Sequence, residues 1–275
     1  MNDAPSPHWP ERMVALGCGH MAGAMIARWL EAGLPPQALT VVRPSGTAVA
    51  PGVRVVRSAD ELAGEGAPDV LLIGTKPQLW GEVRSVAQAL SGDATLVLSI
   101  MAGPTLASLR ADLPGREVVR LMPNLPVRFG KGVVAVHPPL ARGEDRWLAA
   151  LLLPLGHVEP LADEAAFEAV TALAGCGPAF VFRYVDAMAA AGERLGLGGE
   201  QAAALARATL VGAAAQLAAD EDATPTALAD RVASKGGSTR AGLDRLDRDG
   251  ALQGLLAETL EAARARGREL AESPR

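Results

Sequence analysis

GCGHMA, residues 17–22, is the stretch that decides the fold of the N-terminal half of the chain. It directly follows a short apolar run, Met13–Leu16, and directly precedes an amphipathic segment. This order predicts a strand, a tight turn and a helix, with a G-x-G-x-x-A spacing at the junction. Gly17 permits the sharp turn, Gly19 lets a pyrophosphate approach the backbone, and the small Ala22 lets the helix pack closely on the sheet. The free N–H groups at the start of the helix would then face the phosphates of a dinucleotide.

Length, charge and cysteine content narrow the class of protein. The 275 residues suffice for about two domains. The 26 basic and 31 acidic residues leave a net charge of −5, which argues against nucleic acid or an anionic membrane as the main partner. Two widely separated cysteines match neither a CxxC motif nor a metal site, and neither a signal peptide nor an uninterrupted apolar run of ~18 residues is evident. We expect a soluble cytoplasmic protein without a metal.

Apolar runs alternate with helical patterns over the first 160 residues, after a polar, Pro-rich stretch at residues 1–12 that we predict to be a loose arm. After Met13–Leu16, strands are predicted at residues 39–42, 53–56, 69–74, 95–100, 117–121, 133–136 and 157–159. Helices are predicted at residues 20–32, 80–90, 105–113 and 147–153. This alternation is typical of an α/β domain with a doubly wound, mostly parallel sheet.

The composition changes near Asp163, beyond which the chain is rich in Ala and Leu and contains no convincing strand. Helices are predicted at residues 167–174, 178–195, 200–218, 225–233, 238–247 and 251–271. We place the domain boundary near Leu161: residues 1–160 form a dinucleotide-binding domain, and residues 161–275 form an all-α domain.

The end of the second strand bears on the choice of coenzyme. An acid at this position would select NAD by accepting a hydrogen bond from the ribose 2′-hydroxyl. The chain instead has Arg43, followed by Ser45 and Thr47, with no acid before Asp60. A cation and hydroxyl donors suit a 2′-phosphate, which favours NADPH. The alternative is that Arg43 is only a solvated charge at a strand end, and NADH then remains open.

Two Gly-rich turns interrupt the helical half. GCGP, residues 175–178, is either a kink between helices or a point where the backbone approaches the cofactor or a partner chain. SKGGST, residues 234–239, places successive backbone N–H groups at a Gly-Gly turn and a helix start, where they can form a concavity for an anion, with Ser238 as the helix cap. A capped helix–helix loop is the alternative, but it does not explain the additional hydroxyl groups.

Taken together, these motifs resemble the pyrroline-5-carboxylate reductase family, which catalyses the last step of proline synthesis. The resemblance extends over residues 14–270. It is carried by residues 17–22 (GCGHMA), 75–78 (TKPQ), 99–103 (SIMAG), 122–126 (MPNLP), 169–173 (AVTAL), 175–179 (GCGPA) and 234–239 (SKGGST).

The resemblance implies a Rossmann domain followed by a helical dimerisation domain. Two chains would interlock so that the partner's helices complete each active site, and such dimers often assemble into decamers. Contacts to NAD(P)H are implied for Gly17, Gly19, Met21, Ala22, Arg43, Lys76, Pro77, Met101, Ala102 and Gly103. From their places in or beside these turns we add His20, Ser45 and Thr75. The pyrroline ring and its carboxylate are implied to contact Glu164, Gly236, Gly237, Ser238 and Thr239, and we add Ser234 from the same turn.

Five residues depart from the pattern of this family. Ala174 and Cys176 stand where serines are usual, Phe180 where tyrosine is usual, Lys235 where proline is usual and Leu125 where threonine is usual. These positions belong to the motifs expected near the substrate. A reductase of a different cyclic imine carboxylate is therefore an open alternative.

The expected chemistry is hydride transfer from NADPH to the C=N carbon of 1-pyrroline-5-carboxylate, which gives L-proline. The Thr239 hydroxyl is our first choice as proton donor to the ring nitrogen, although at an ordinary pKa it can only relay a proton. The substrate could instead be taken from solution already protonated. Glu164 either bonds the ring nitrogen or begins a helix, where an acid is favoured by the helix dipole.

Two other classes of protein are alternatives. A hydroxyacid dehydrogenase of similar build would need a lysine four residues beyond Gly177, where Val181 stands. A non-catalytic NADPH-binding regulatory module would have no use for a Gly-Gly turn rich in hydroxyl groups.

Overall fold

The computed structural model describes residues 8–139 and 146–272. Its N-terminal part contains an eight-stranded sheet with strand order β3-β2-β1-β4-β5-β6-β7-β8. The strands are β1 Met13–Leu16, β2 Leu39–Val42, β3 Arg54–Val56, β4 Val70–Ile73, β5 Leu96–Ser99, β6 Glu117–Pro123, β7 Gly132–His137 and β8 Gly156–Pro160. Every neighbouring pair is parallel except β6 and β7. The predicted doubly wound, mostly parallel sheet is confirmed, with β8 at its edge.

Helices cover both faces of this sheet. They are α1 His20–Glu31, α2 Trp80–Leu90, α3 Leu106–Asp112 and α4 Arg146–Leu152. Met13 and Ala15 of β1 pack with α1 and α4 on one face, whereas Val14 and Leu16 pack with α2 and α3 on the other. A strand covered on both faces reads as an uninterrupted apolar run, which is why β1, β4 and β5 could be recognised from the sequence.

The strand order reverses between β1 and β4, whose neighbours on the outer sides are β2 and β5. In open α/β sheets, ligands bind outside the carboxyl ends of the strands at such a reversal. The loops after β1, β2, β4 and β5 all leave the sheet at this edge because these strands are parallel. We therefore expect the candidate ligand site at the carboxyl ends of these four strands.

The predicted loose arm is wrong for its last residues, while residues 1–7 lie outside the described part of the chain. Trp9 packs on the core cluster that contains α1, and Pro10 is buried. The backbone N–H of Arg12 donates to Asp69 Oδ2 at 2.9 Å. Trp9 therefore anchors residues 9–12 to the core, although the polar, Pro-rich composition of this stretch predicted a loose arm.

Helices account for most of the rest of the chain. They are α5 Ala166–Val170, α6 Gly177–Arg194, α7 Gly199–Ala219, α8 Pro225–Arg231, α9 Ser238–Asp247 and α10 Ala251–Glu272. The described residues form two compact units, residues 8–175 with 264–272 and residues 176–263. The predicted helices are confirmed, except that the first of them changes type: Thr171–Gly175 forms a π-helical turn.

Helix α7 is apolar yet mostly uncovered within its unit. It is the one helix in the described part of the chain that has the length and composition to cross a membrane, with a mean hydropathy of 1.4 over the relevant window. Only 11% of that window is buried. Val211 is 63% exposed, whereas Ala202 and Ala206 are buried, with Ala202 beside Gly192 of α6. An exposed apolar helix of this size needs a covering partner.

Candidate dinucleotide and substrate sites

The turn between β1 and α1 is held by close packing around Gly17. This residue has a φ of +84°, which disfavours any side chain. A Cβ here would also lie 3.0 Å from Thr75 Cγ2 and 3.1 Å from the carbonyl oxygen of Gly74. The Gly17 N–H donates to the carbonyl oxygen of Val42 at 3.0 Å, which ties the turn to the end of β2.

The start of α1 is open and carries no side-chain cap. Gly19 is the N-cap residue, and a Cβ on it would meet nothing within 4 Å. The first intrahelical hydrogen bond runs from the Gly23 N–H to the Gly19 carbonyl oxygen at 2.8 Å. The N–H groups of residues 20–22 precede that bond and are available to an external acceptor. This geometry fits a pyrophosphate.

The close approach of α1 to the sheet involves a second glycine that sequence reasoning missed. Ala22 is buried, and its Cβ lies 2.9 Å from the position that a Cβ of Gly74 would occupy. Gly74 directly follows β4. Ala22 therefore packs over the end of β4. The spacing of the motif in the sequence does not reveal this contact.

A cavity of about 550 Å³ opens beside this turn. It brings together four predicted coenzyme residues, Gly19, His20, Arg43 and Lys76. Residues 48–50, an apolar segment that the sequence analysis did not single out, also line it. Two cationic side chains, Arg43 and Lys76, and an uncapped helix start make the cavity suited to an anionic ligand.

Cys18 also lines this cavity, and its thiol is a packing group rather than a nucleophile. Burial raises the pKa of the Cys18 thiol above its ordinary value, although the nearby Arg43 guanidinium acts in the opposite direction. The thiol therefore remains protonated at neutral pH. Among residues 8–139 and 146–272, no group of three or more His, Cys, Asp or Glu could hold a metal ion.

The turn after β2 presents Arg43 and two hydroxyl groups. The Gly46 N–H donates to the carbonyl oxygen of Arg43 at 2.9 Å and closes the turn. Ser45 Oγ accepts from the backbone N–H of Thr47 at 3.3 Å and lies 3.0 Å from Thr47 Oγ1. The half-buried Arg43 side chain makes no ion pair within the described residues.

Two further predicted segments meet at the ends of β4 and β5. Thr75 Oγ1 lies 3.8 Å from the sulfur of Met101, which is buried. Thr75, Lys76 and Pro77 follow β4, and Met101, Ala102 and Gly103 follow the adjacent parallel strand β5. Ala102 and Gly103 are exposed, so this pair of turns offers a surface at the same edge as the cavity.

Glu164 has protein partners that its predicted substrate role did not foresee. Its Oε1 accepts from the backbone N–H of Leu106 at 2.6 Å and also from the Arg120 guanidinium. The Arg120 guanidinium carbon lies 4.6 Å from the centre of the Phe167 ring. Both bonds of Glu164 fall on Oε1, and Glu164 thereby anchors the first residue of α3, just beyond the Met101–Gly103 turn. Arg120 was missed, although a charged residue within an apolar strand was a usable signal.

The Gly-Gly turn before α9 resembles the turn before α1 in its helix start. Gly236 has a φ of +73°, and the Gly237 N–H donates to the carbonyl oxygen of Ser234 at 3.0 Å. The expected Ser238 cap is wrong: Gly237 is the N-cap in an extended conformation, and no side chain caps the helix. Ser234 Oγ lies 2.6 Å from where a Cβ of Gly237 would be, so only glycine fits there.

The position of the N-cap at Gly237 determines which backbone donors are free. The Ala241 N–H bonds the Gly237 carbonyl oxygen at 3.1 Å as the first intrahelical bond. The N–H groups of residues 238–240 therefore remain available, whereas that of Gly237 is used within the turn.

The turn at residues 174–178 is shaped by Asn124, another residue that sequence reasoning quoted but gave no role. The Asn124 side chain accepts from the Val133 N–H at 2.8 Å and donates to the carbonyl oxygen of Ala174 at 2.9 Å. The π-helical turn at Thr171–Gly175 leaves that carbonyl outside the regular helical pattern. Asn124 therefore holds the end of the π-helical turn within its own unit.

Three features define a dinucleotide-binding protein of the Rossmann class. They are the parallel sheet whose strand order reverses between β1 and β4, the glycine turn before an uncapped helix, and the cavity with basic residues beside it. Comparison with known proteins narrows the class. Residues 164–270 match the family model described as pyrroline-5-carboxylate reductase dimerisation. The pyrroline-5-carboxylate reductase of Pseudomonas aeruginosa is 35% identical over 270 residues, which cover 95% of this chain and 97% of that protein. That of Glycine max is 31% identical over 263 residues, with 93% and 94% covered.

Solved structures agree. The pyrroline-5-carboxylate reductase of Coxiella burnetii superposes with a TM-score of 0.82 at 25% identity and covers 96% of this chain and 99% of its own. The Plasmodium falciparum pyrroline carboxylate reductase with NADP bound has a TM-score of 0.79 at 22% identity, covers 95% and 98%, and supports the fold. The chain belongs to the pyrroline-5-carboxylate reductase family. It is an NAD(P)H-dependent oxidoreductase of proline biosynthesis.

Family membership also explains the exposed apolar helix. Helix α7 lies wholly within the matched dimerisation region. Burial against a second copy of the chain, rather than in a membrane, is the simplest cover for its side chains. The predicted helical dimerisation region is thus confirmed at the level of the family.

Proposed function

We propose that the protein reduces 1-pyrroline-5-carboxylate to L-proline with NADPH as its preferred coenzyme. The observation that carries the coenzyme preference is Arg43, which lines the cavity at the end of β2 where an NAD-selective protein would present an acid. Ser45 adds a hydroxyl donor in the same turn. The comparisons supply the family and the reaction class, while the roles of individual residues are part of this proposal.

Each part of the coenzyme would have its own set of residues. The N–H groups of residues 20–22, together with Gly19 and Lys76, would hold the pyrophosphate, and Gly17, whose N–H is used within the turn, would shape the backbone beneath it. Arg43 and Ser45 would hold the 2′-phosphate, and His20 would contribute at the mouth of the cavity. Residues 75–77 and 101–103 would form the wall next to the nicotinamide. When bound, NADPH supplies the hydride for the C=N carbon of the substrate.

The turn before α9 would hold the carboxylate of the substrate. Its free donors are the N–H groups of residues 238–240, with the hydroxyl groups of Ser234 and Ser238 in the same turn. The exposed Lys235 adds positive charge beside Gly236 and Gly237. An anion held at a helix start orients the ring, and orientation of two reactants can supply ~7–11 kcal/mol in favourable systems.

Proton delivery to the ring nitrogen is the remaining requirement. Thr239 is the second residue of α9 and is exposed, so its hydroxyl can relay a proton from solvent. Both hydrogen bonds of Glu164 are accepted by Oε1. Its other carboxylate oxygen, Oε2, could therefore accept a hydrogen bond from the ring N–H. Uptake of a substrate that is already protonated remains the alternative.

We further propose that the active form is at least a dimer, with a decamer as the candidate larger assembly, and that it works in the cytoplasm. The domain boundary near Leu161 stays a prediction. So does the alternative that the substrate is another cyclic imine carboxylate, which the departures at Leu125, Ala174, Cys176, Phe180 and Lys235 keep open.

The decisive experiment follows NADPH oxidation spectrophotometrically with a panel of five- and six-membered cyclic imine carboxylates. We expect the highest kcat/KM with 1-pyrroline-5-carboxylate and formation of L-proline. A six-membered imine that is turned over faster would replace the substrate assignment. Coenzyme binding without turnover of any imine would contradict the proposed reaction.

A further inference from the structure

A second arginine follows the strand beside the one that carries Arg43. Strands β2 and β3 are parallel, and Val42 is paired with Val56 at their carboxyl ends. The Arg43 N–H donates to the carbonyl oxygen of Val56 at 2.8 Å. Arg43 and Arg57 are the residues that directly follow this pair. Because neighbouring strands are only about 4.8 Å apart, the two arginines leave the sheet side by side.

The Arg57 side chain lies against the turn that carries the predicted phosphate contacts. A Cβ on Gly46 would lie 2.7 Å from Arg57 Nε and 3.4 Å from its Cζ. Gly46 also has a φ of +65°, so the turn uses glycine both for its conformation and for the space that the guanidinium occupies. Ser45, the predicted hydroxyl donor, is the preceding residue.

Neither guanidinium is neutralised within the described part of the chain, where Arg43 and Arg57 make no ion pair and no side-chain hydrogen bond. Glu61 is engaged elsewhere, because its Oε1 accepts the backbone N–H of Arg57 at 2.7 Å and that of Ser58 at 3.1 Å. By contrast Arg54, at the other end of β3, is paired with Glu65 at 2.7 Å.

Two like charges that follow adjacent strand ends without a counterion repel, and a doubly charged anion bound by both would remove that repulsion. The ribose 2′-phosphate of NADPH is such an anion, and planar guanidinium groups match its oxygen atoms. We propose that Arg57 is a second ligand of the 2′-phosphate and that it determines coenzyme specificity together with Arg43. The inference rests on the proposed use of NADPH, and it extends the coenzyme site to a strand that no motif marks.

The test measures dissociation constants of the full-length protein for NADPH, NADH and adenosine 2′,5′-bisphosphate, which carries the 2′-phosphate without a nicotinamide. Arg57→Ala is expected to lower the affinity for NADPH and for the bisphosphate at least about tenfold, as the loss of a charge-assisted hydrogen bond does. The affinity for NADH should change by no more than about twofold. Arg43→Ala is expected to behave in the same way. Arg57→Lys keeps the charge but loses the planar donor set, so it should fall between the wild type and Arg57→Ala.

Arg84→Ala is the matched control, because it removes an exposed arginine of the same unit that pairs with Asp112 and lies outside the cavity. It should change none of the three constants by more than about twofold. Unchanged NADPH affinity in Arg57→Ala, or an equal loss of NADPH and NADH, would overturn the assignment.

Imine turnover, measured on the same proteins at saturating coenzyme, separates this inference from the proposed function. The kcat of the control Arg84→Ala should equal that of the wild type. If the wild type reduces pyrroline carboxylate while Arg57→Ala keeps the wild-type coenzyme preference, only the role of Arg57 fails. If no imine is reduced but bisphosphate binding still depends on Arg57, only the proposed reaction fails.

Discussion

The turn before α1 and the turn before α9 have the same local design in different surroundings. Each has a glycine at positive φ, a glycine N-cap without a side-chain cap, and free N–H groups at the start of a helix. Gly17 is enclosed by Thr75 and Gly74, whereas a Cβ on Gly236 would meet nothing within 4 Å. The first turn is therefore built completely within its own unit. The second is exposed within its unit, and under the proposed function its remaining walls would come from bound ligand or from the assembled oligomer.

The largest expected effect comes from Gly17→Ala. A Cβ at this enclosed position meets Thr75 and Gly74 and also carries about 1–2 kcal/mol of left-handed backbone strain. We expect NADPH affinity to fall at least about 100-fold, measured by fluorescence titration.

Gly236→Ala is the matched control, because it has the strain without the clash. It should raise the KM for the imine and leave NADPH affinity within about twofold. An equal loss of NADPH affinity in Gly17→Ala and Gly236→Ala would contradict the proposed difference between the enclosed turn and the open turn.

Thr239→Ala should have the next largest effect, because it removes the hydroxyl that we propose as the proton relay. We expect kcat to fall about 10–100-fold while the dissociation constant of NADPH stays unchanged. Ser238→Ala, at the neighbouring position of the same helix start, serves as the comparison and should mainly raise KM. If Thr239→Ala lowered the affinity for NADPH by the same factor as kcat, Thr239 would have no part in the chemistry.

Val211→Asp tests whether the helical unit depends on a partner chain. Val211 is a largely exposed residue of α7, and a charge buried there in an interface would be costly. We expect a lower molecular mass by light scattering and a loss of about tenfold in turnover, with NADPH binding retained because the proposed coenzyme residues lie within the other unit. Val211→Ala should remain assembled. A fully active monomer would contradict the proposed oligomeric enzyme.

The smallest effect concerns an exposed ion pair at the end of α1. The hydrogen bond from Arg128, followed by its charge, lowers the pKa of Glu31 below its ordinary value of 4.5. A carboxyl with a lowered folded-state pKa stabilises the protein above its ordinary pKa, and that contribution is lost as the pH falls through the lowered value. Arg128→Ala should therefore lower Tm slightly at pH 7 and not at all near pH 2, in thermal scans by circular dichroism. A difference that persisted at pH 2 would point to packing instead.

Much of the fold could be predicted because its determinants are local. Buried parallel strands are uninterrupted apolar runs, and the helices after residue 166 follow a regular spacing, so the order of both could be predicted. The features that were missed depend on contacts between distant parts of the chain. Trp9 is fixed by packing on the core, Gly74 by Ala22, and Asn124 by the carbonyl of Ala174 fifty residues later.

The candidate site divides in the same way. The glycines and Arg43 could be found from spacing, since a dinucleotide turn and the end of its second strand are adjacent in sequence. Arg57 could not, because its relevance comes from strand pairing and from the space at Gly46. The error at Ser238 is one of register: Gly237 and Ser238 are both acceptable N-caps, and the extended conformation of Gly237 decides between them.

The most direct test is a crystal structure of the assembled enzyme with NADP⁺ and L-proline bound. The account predicts that the pyrophosphate lies on the N–H groups of residues 20–22 and the 2′-phosphate between Arg43 and Arg57. It also predicts that the proline carboxylate lies on the N–H groups of residues 238–240. A proline carboxylate bound away from residues 238–240 in every subunit would contradict the account.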